Sequence, residues 1–177
     1  MVELYRQGLF GIQKCRTDSN DLYYTPDDIA KLVIEFYKPK GTMLEPCSGK
    51  GALLKYMPKA DHCEITAGSN FFAYKKKVNW IITNPPFSKI TPFLIHSLEL
   101  ANNVVFIMNI PALFTVKRIR EIHNRGFGIK KILYLKQPDT WCQTGRQLAA
   151  VYMKKYHTGF CKIYHSDNFD QSYKKFK

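Results

Sequence analysis

Short apolar runs alternate with segments of helical spacing along most of the 177-residue chain. The runs that predict strands are residues 42–46, 62–65, 78–83 and 104–110, with a final pair at 131–135 and 148–153. The segments that predict helices begin at Thr25-Pro26 and at Ala52, or span residues 92–101 and 116–124. Strands that alternate with helices are typical of an α/β fold with a parallel sheet.

The charge balance predicts an acidic partner. The chain carries 27 Lys and Arg against 14 Asp and Glu, a formal net charge of +13. This excess favours nucleic acid first and an anionic membrane surface second. No run approaches the roughly 20 apolar residues that a spanning helix needs, and no apolar signal-peptide core follows the first residues. We therefore expect no membrane partner and a cytoplasmic, reducing location.

Cysteine spacing gives no sign of a metal site or a disulfide framework. The chain has an odd number of cysteines and no Cys-x-x-Cys pair: Cys15, Cys47, Cys63, Cys142 and Cys161. His62 adjoins Cys63, but neighbouring residues on a strand point to opposite faces. We expect no bound metal.

A glycine-rich loop follows the first predicted strand, with the sequence Glu45-Pro46-Cys47-Ser48-Gly49-Lys50-Gly51. Glycines let the chain turn sharply and let a ligand approach the backbone. The loop has neither the Gly-Lys-Ser/Thr of a phosphate-binding loop nor the Gly-x-Gly-x-x-Gly spacing. Glu45 suits a cationic ligand such as S-adenosylmethionine better than it suits the pyrophosphate of NAD. A tight turn without a ligand remains an alternative.

The tetrapeptide Asn84-Pro85-Pro86-Phe87 follows a strongly apolar predicted strand, at the same sheet edge as the glycine-rich loop. Two prolines lock the backbone and remove two N–H donors, so the Asn84 side-chain oxygen and the Pro85 carbonyl can act as fixed acceptors. Phe87 offers a flat ring beside them. Such a pocket suits a planar group with an NH₂, whose nitrogen becomes a methyl acceptor when both N–H bonds are accepted. A rigid turn after a buried strand is the alternative reading.

Together these motifs resemble the amino-methyltransferases, specifically the DNA adenine-N6 methyltransferases. The resemblance is carried by residues 44–51 and 83–87, with Tyr23-Tyr24-Thr25-Pro26 similar to an upstream segment of the family, and it covers roughly residues 23 to 155. It implies an α/β, class I (Rossmann-like) methyltransferase fold with a mostly parallel seven-stranded sheet and helices on both faces. It also implies S-adenosylmethionine as cofactor and methyl transfer to the N6 amine of an adenine in DNA.

The resemblance assigns roles position by position. The residues that would hold the flipped target adenine are Asn84, Pro85, Pro86 and Phe87. Glu64 would accept the ribose hydroxyls of the cofactor, and Asn70 with Phe71 would hold its adenine. The residues that would line the methionine end are Tyr24, Thr25, Pro26, Glu45, Pro46, Gly49 and Gly51, with Asn84 facing the cofactor as well.

Three departures from the family modify these expectations. Asn70 stands where an aspartate is usual, which predicts weaker adenine binding. The stretch between Gly51 and Asn84 is short, which predicts a sheet trimmed by one strand–helix unit. Residues 1–177 leave no room for a separate target-recognition domain, so we expect one catalytic domain with a flexible basic tail at 165–177. Recognition of a target sequence would then depend on short loops, on a homodimer or on a specificity partner, or the enzyme would have low sequence specificity. Compact enzymes of this kind are typical of phages and mobile elements.

Basic residues would hold the polymer while one base enters the pocket. The residues predicted to contact nucleic acid are Lys75, Lys76, Lys77, Lys117, Arg118, Arg120, Trp141 and Arg146, and further lysines crowd the C-terminal region. Trp141, in the polar loop 137–146, either closes over the target base or is buried.

Two other functions stay open. One is the same chemistry on RNA, where single strands already present splayed bases. The other is a non-catalytic nucleic-acid-binding module on a degenerate methyltransferase fold.

Overall fold

The computed structural model describes residues 23–139, 141 and 145–166. Its strands are β1 (Met43–Glu45), β2 (Asp61–His62), β3 (Val78–Thr83), β4 (Ala101–Asn109), β5 (Phe127–Leu135), β6 (Leu148–Lys155) and β7 (Lys162–His165). Its α-helices are α1 (Asp27–Tyr37), α2 (Ile90–Leu100), α3 (Ile110–Leu113) and α4 (Val116–Asn124). Short 3₁₀ turns lie at Leu54–Tyr56, Ile65–Ala67, Phe71–Ala73 and Phe87–Lys89.

The strands lie in the order β2-β1-β3-β4-β6-β5-β7. Strand β6 is antiparallel to β4 and β5, and the other neighbouring pairs are parallel. The predicted α/β class and mostly parallel seven-stranded sheet are therefore confirmed. The sequence analysis missed β7, which pairs with β5 and includes His165, the first residue of the expected flexible tail. Residues 167–177 of that tail lie outside the described residues.

Two apolar cores, one on each face of the sheet, hold the helices in place. Successive strand residues point to opposite faces, so Ile81 and Val104 pack on the side of α2 and α4, whereas Ile82 and Val105 pack on the side of α1. Helices thus cover both faces, as predicted. Strands that are buried on both sides have mainly apolar sequences, and β3 and β4 could be predicted for this reason. Within the described ranges, no helix has the length and apolar character needed to cross a membrane.

The segment between β1 and β3 contains little regular structure. The helix predicted from Ala52 is only the 3₁₀ turn Leu54–Tyr56, because the six residues between Gly51 and Pro58 leave room for fewer than two helical turns. Strand β2 has two residues and leads into two further 3₁₀ turns instead of a helix. The sheet nevertheless has seven strands, so the predicted loss of a whole strand–helix unit is wrong: helices are missing here, and β2 is short but present.

The strand ends define two edges of the sheet. At the carboxyl edge, strands end at Glu45, Thr83 and Asn109; at the amino edge, the same strands begin at Met43, Val78 and Ala101. The glycine-rich loop and the Asn-Pro-Pro-Phe tetrapeptide both leave the carboxyl edge. Strand β6 runs the opposite way, so it begins near the carboxyl edge, where Leu148 pairs with Asn109, and ends at the amino edge.

Candidate active site

A cavity of about 420 Å³ opens at the carboxyl edge. Four segments line it: Tyr23 with Tyr24, the glycine-rich loop, residues 64–72 and residues 84–89. A smaller cavity of about 40 Å³ lies beside it, shares Gly49 and Asn84 with it, and has Glu45 in its wall. The parallel strands therefore bring together motifs that are distant in the sequence.

Asn84 lies where the two cavities meet. Its amide nitrogen Nδ2 donates to the Tyr23 carbonyl at 2.7 Å, so the amide oxygen Oδ1 is the atom left for a ligand. Its backbone carbonyl accepts from Cys47 Sγ at 3.2 Å, which ties the tetrapeptide to the glycine-rich loop. The Pro86 carbonyl accepts from Lys89 N at 2.9 Å. Within the described residues, Asn84 Oδ1 and the Pro85 carbonyl accept no hydrogen bond, so two acceptors at the tetrapeptide are uncommitted.

An aromatic row runs behind this position. The Phe87 and Tyr23 ring centroids lie 5.7 Å apart, and those of Tyr23 and Trp141 lie 5.5 Å apart. Trp141 is only 6% exposed, and its Nε1 donates to the Tyr24 carbonyl at 3.1 Å. Of the two alternatives for Trp141, the structure has the buried one, and a packed ring is not available to stack on a base. Trp141 instead fixes the Tyr23–Tyr24 backbone, which in turn orients Asn84.

Glu64 holds the glycine-rich loop from across the larger cavity. Its Oε2 accepts from Gly49 N at 2.7 Å, and its Oε1 accepts from Thr66 N and Thr66 Oγ1 at 3.1 and 2.8 Å. Burial by itself raises the pKa of Glu64, but the hydrogen bonds from Thr66 and Gly49 outweigh it and leave the pKa below its ordinary value. A carboxylate offers about four acceptor sites, so a two-point hold on ribose hydroxyls would have to displace a Thr66 bond.

Both the backbone conformation at position 49 and the neighbouring Tyr24 ring require a glycine there. Its φ of +51° lies in the left-handed region, which side chains disfavour. A Cβ added here would lie 3.0 Å from the Tyr24 ring. That ring carries Lys50 Nζ on its face, 4.7 Å from the centroid. The missing side chain therefore lets Tyr24 close over the loop.

Glu45 is the buried acid of the site, 2% exposed at the end of β1. Burial raises the pKa of its carboxyl well above the ordinary range, against the lowering effect of Thr83, and the Glu64 charge raises it further. Its Oε2 has no hydrogen-bond partner among the described residues. A buried polar atom without a partner costs free energy. An ammonium group in the small cavity would satisfy this oxygen and favour the ionised carboxylate.

The far end of the larger cavity is lined by both Asn70 and Phe71, although neither side chain is fully open to it. Asn70 Oδ1 accepts from Phe72 N at 3.0 Å, so only its second lone pair is available to an adenine amine. Phe71 borders the cavity as well, but it is only 3% exposed and packs in the core against Phe93. More open apolar surface comes from Ile65 and Phe72, which are 69% and 37% exposed. Sequence reasoning missed both, although each directly follows a residue that it identified.

The remaining predicted cofactor residues divide into two groups. Thr25 lines the smaller cavity and Pro46 the larger one. Pro26 and Gly51 line neither, because Pro26 is the N-cap of α1 and Gly51, with φ of +78°, shapes the turn of the loop. Further lining residues that the sequence analysis missed are Cys47, Ser88 and Lys89. Lys89 lies only two residues beyond Phe87, so its position in the sequence was a usable signal.

The lysine run at 75–77 does not border the cavity. Lys77 directly precedes β3 and lies at the amino edge, six strand residues away from Asn84, or about 20 Å. Lys75 Nζ donates to the Phe72 carbonyl at 3.2 Å, and Lys77 Nζ donates to the Glu99 carbonyl at 2.5 Å. Lys76 pairs with Asp61 at 3.7 Å.

The other predicted cations lie closer to the carboxyl edge. Arg118 is half-buried on α4, where its Nε donates to Thr91 Oγ1 at 3.0 Å and its guanidinium also donates to the Ala112 carbonyl. It therefore joins α4 to α2. Lys117 and Arg120, also on α4, are exposed, and Arg146 is exposed just before β6. Their exposure places positive charge on the surface at this end of the sheet.

The cavity holds no ready nucleophile and no cluster of metal ligands. Burial raises the pKa of the Cys47 thiol, which lies 2.9 Å from Thr83 Oγ1 in a hydrogen bond. A neutral thiol is a poor nucleophile. Among the residues that the structure describes, no group of three or more His, Cys, Asp or Glu side chains could hold a metal ion.

Comparison with known proteins identifies the architecture. No protein-family model matches the sequence, and no curated protein matches it either. A candidate class I S-adenosylmethionine-dependent methyltransferase from Listeria monocytogenes superposes with a TM-score of 0.55 and 13% identity, over 88% of this chain and 68% of that one. The chain has the class I methyltransferase fold. This confirms the fold that the motif resemblance implies.

Two further structures show the range of proteins that share this fold. The candidate RNA methyltransferase PH1948 from Pyrococcus horikoshii matches with a TM-score of 0.57 and 16% identity, over 87% of this chain and 96% of that one. The M protein of the type I restriction enzyme EcoKI matches with a TM-score of 0.61 and 14% identity, over 84% of this chain. This chain spans about half of the M protein, 49% of its length.

Proposed function

We propose that this class I fold is an S-adenosylmethionine-dependent methyltransferase that acts on the N6 amine of adenine in DNA. One observation carries the proposal. A single cavity is lined at one end by the Asn84-Pro85-Pro86-Phe87 tetrapeptide and at the other by Glu64, Ile65 and Asn70. A methyl donor and a planar amine can therefore lie in one continuous space, which an in-line transfer requires.

The residues fit the parts of the cofactor. The unpartnered carboxyl oxygen Oε2 of Glu45 suits its ammonium group, and Glu64 suits a ribose hydroxyl. Ile65 and Phe72 offer exposed apolar surface to a purine ring, with Asn70 beside them. The bound cofactor supplies an electrophilic methyl group.

The tetrapeptide would prepare the target amine. Asn84 Oδ1 and the Pro85 carbonyl accept its two N–H bonds, which draws the nitrogen toward tetrahedral geometry and frees its lone pair. The same acceptors stabilise the positive charge that develops on the nitrogen. The Tyr23 carbonyl holds the Asn84 amide in the orientation that this role needs. The Phe87 ring offers a face on which the extruded base can stack.

DNA is favoured over protein by the net charge of +13 and by the exposed cations Lys117, Arg120 and Arg146. The restriction-enzyme M protein shares this architecture. RNA is the second candidate, because PH1948, a candidate RNA methyltransferase, is nearly the same length as the matched region. A specificity partner or a second copy of the chain would supply sequence recognition.

Methyl transfer from radiolabelled S-adenosylmethionine tests the proposal. The acceptors are duplex DNA, single-stranded DNA, RNA and protein, and the products are digested to locate the methylated base. Asn84→Ala should lower kcat by about 10²- to 10³-fold, as expected for loss of one fixed group that stabilises developing charge. Asn124→Ala, an exposed position at the end of α4, is the matched control and should leave the rate unchanged.

The outcomes separate the candidates. Label in N6-methyladenine of DNA that disappears with Asn84→Ala supports the proposal. Label in RNA alone selects the second candidate. Cofactor binding with no transfer to any polymer identifies a non-catalytic module on this fold. If calorimetry detects no cofactor binding and Glu64→Ala changes nothing, the cofactor proposal is wrong.

A further inference from the structure

Two aromatic rings stand exposed at the amino edge, on the side of the sheet opposite the cavity. Tyr156 directly follows β6 and is 80% exposed, and Phe160 lies two residues before β7 and is 97% exposed. Their turn, residues 156–161, joins the two strands. Side chains of this size are normally at least partly covered, and exposed aromatic rings commonly mark a binding surface.

The stretch of chain that carries these rings contains lysines and no acidic residue. Residues 154–166 include Lys154, Lys155 and Lys162 but no Asp or Glu. Lys155 Nζ lies 5.5 Å from the centroid of the Tyr156 ring. Because β6 is antiparallel, these lysines lie at the same edge of the sheet as Lys76 and Lys77, two strands away across β4.

The turn is held in a defined conformation. Tyr156 has a φ of +60°, which is uncommon for a residue with a side chain. Its N–H donates to the Gly126 carbonyl at 2.7 Å. A Cβ added at Gly128 would lie 2.1 Å from the His157 carbonyl, so the turn packs directly on β5. A strained residue persists only where its surroundings fix it, and such residues are concentrated at binding sites.

We propose that this turn is a binding surface for single-stranded nucleic acid. Tyr156 and Phe160 provide stacking faces for two bases, and Lys154, Lys155 and Lys162 pair with the neighbouring phosphates. Base–aromatic stacking flanked by cations is the usual way in which proteins hold single strands without reading sequence. The proposal rests on exposure and charge at the amino edge and does not depend on the chemistry proposed for the cavity.

The surface would act as an anchor for the polymer, apart from the base that reacts. The eight residues of β6 separate it from the carboxyl edge, a distance of about 25 Å. A strand held here can reach the cavity only if it extends well beyond the bound bases. Long substrates should therefore depend on this surface, and short ones should not.

Fluorescence anisotropy of the 177-residue chain, without cofactor, tests the surface. The probes are labelled oligothymidylate and oligouridylate of about 20 nucleotides and a duplex of the same length. Phe160→Leu keeps an apolar side chain but removes the ring, and it should weaken single-strand binding by about tenfold. Phe160→Trp, the matched control, keeps a ring and should bind at least as tightly as the unmodified chain. Tyr156→Leu should also lower the affinity by about tenfold.

Salt dependence gives a second readout. Lys155→Gln should reduce the slope of log affinity against log salt by about 0.7, the value for one phosphate contact on a single strand. If the variants lose the same affinity for DNA and RNA probes, the surface binds the phosphate backbone and stacks on the bases. If they lose affinity for only one probe, the surface also distinguishes the sugar of that probe.

Three results would overturn the proposal. One is unchanged single-strand binding in Phe160→Leu, which would leave the patch as an apolar contact for a protein. Another is tight binding of the duplex alone. The third is an unchanged salt slope in Lys155→Gln. Asn84→Ala should keep oligonucleotide binding while losing methyl transfer, so failure of this surface and failure of the proposed activity are distinguishable.

Discussion

Replacing Glu45 by Gln should make the stability of the protein less dependent on pH. Glu45 is 2% exposed, and burial raises its pKa well above its ordinary value of 4.5. In the folded state its proton is therefore retained at pH values at which the unfolded chain has released it. Glutamine has nearly the same shape and no ionisable proton, so it preserves the packing and removes this linkage.

The sign and size of the effect follow from proton linkage. Between the unfolded and the folded pKa, the native state binds more protons, so the free energy of unfolding falls as pH rises. One proton gives a slope of at most a little over 1 kcal/mol per pH unit. Relative to the unmodified chain, Glu45→Gln should therefore become progressively more stable as pH rises above 4.5. Below that value the difference between the two proteins should be constant.

Urea denaturation of both proteins at pH values from about 4 to 8.5 measures this difference, and the slopes from all other groups cancel between them. Glu35→Gln is the control, because Glu35 is an exposed carboxyl on α1 that is 4.0 Å from Lys31. Its stability difference should be small at every pH. A pH-independent difference for Glu45→Gln would refute a raised pKa at this position.

The same carboxyl links pH to the proposed cofactor. If an ammonium group occupies the small cavity, Glu45 ionises on binding and releases a proton. Calorimetry of S-adenosylmethionine in two buffers of different ionisation enthalpy should detect proton release at pH values between 4.5 and the raised pKa of Glu45, and none for Glu45→Gln. The variant should also bind the cofactor more weakly.

Three further substitutions test the packing around the site. Gly49→Ala should lower the free energy of unfolding by about 1 kcal/mol, because its backbone is left-handed. It should also displace Tyr24, so that the cofactor affinity measured by calorimetry falls several-fold. Gly126→Ala is the control: its φ is +74° and its nearest contact is at 3.9 Å, so it should lower stability alone. Trp141→Phe removes the hydrogen bond to the Tyr24 carbonyl, so urea denaturation should show a loss of about 1 kcal/mol and steady-state kinetics a raised KM for the cofactor. Tyr37→Phe removes a buried 2.7 Å hydrogen bond to the Ala150 carbonyl, so stability should fall by about 1 kcal/mol with kcat unchanged; a changed kcat would show that α1 is coupled to the site.

Local sequence patterns located the strands that carry the motifs. Residues 78–83 were predicted as a strand and form β3, because this mainly apolar segment, buried at four of its six positions, is distinct from its surroundings. The two-residue strand β2 and the exposed strand β7 were less well defined. Neither has an apolar run or an alternating pattern of its own, and each is held by pairing with a neighbouring strand.

The sequence predicted a site residue only where the residues next to it in the chain indicated its chemistry. Asn84 could be identified because two prolines follow it, and Glu45 because glycines follow it. The orientation of the Asn84 amide depends on the Tyr23 carbonyl, 61 positions away in the sequence, and no local pattern contains that partner. Phe71 was assigned to the cofactor and borders the cavity, but it is only 3% exposed, whereas Phe72 is 37% exposed. The 3₁₀ turn that contains both rings decides this difference, and no local pattern predicts it.

The sequence by itself determined that a basic α/β chain carries a glycine-rich loop and an Asn-Pro-Pro-Phe turn at one edge of a sheet, since strand patterns and turn residues act over a few positions. The tertiary structure alone decided which cations share an edge. Antiparallel β6 carries Lys155 to the same edge as Lys77, 78 positions earlier, and away from the cavity. It also buried Trp141 and left Tyr156 and Phe160 exposed. Exposure and proximity between distant residues arise from packing, and packing depends on the whole chain.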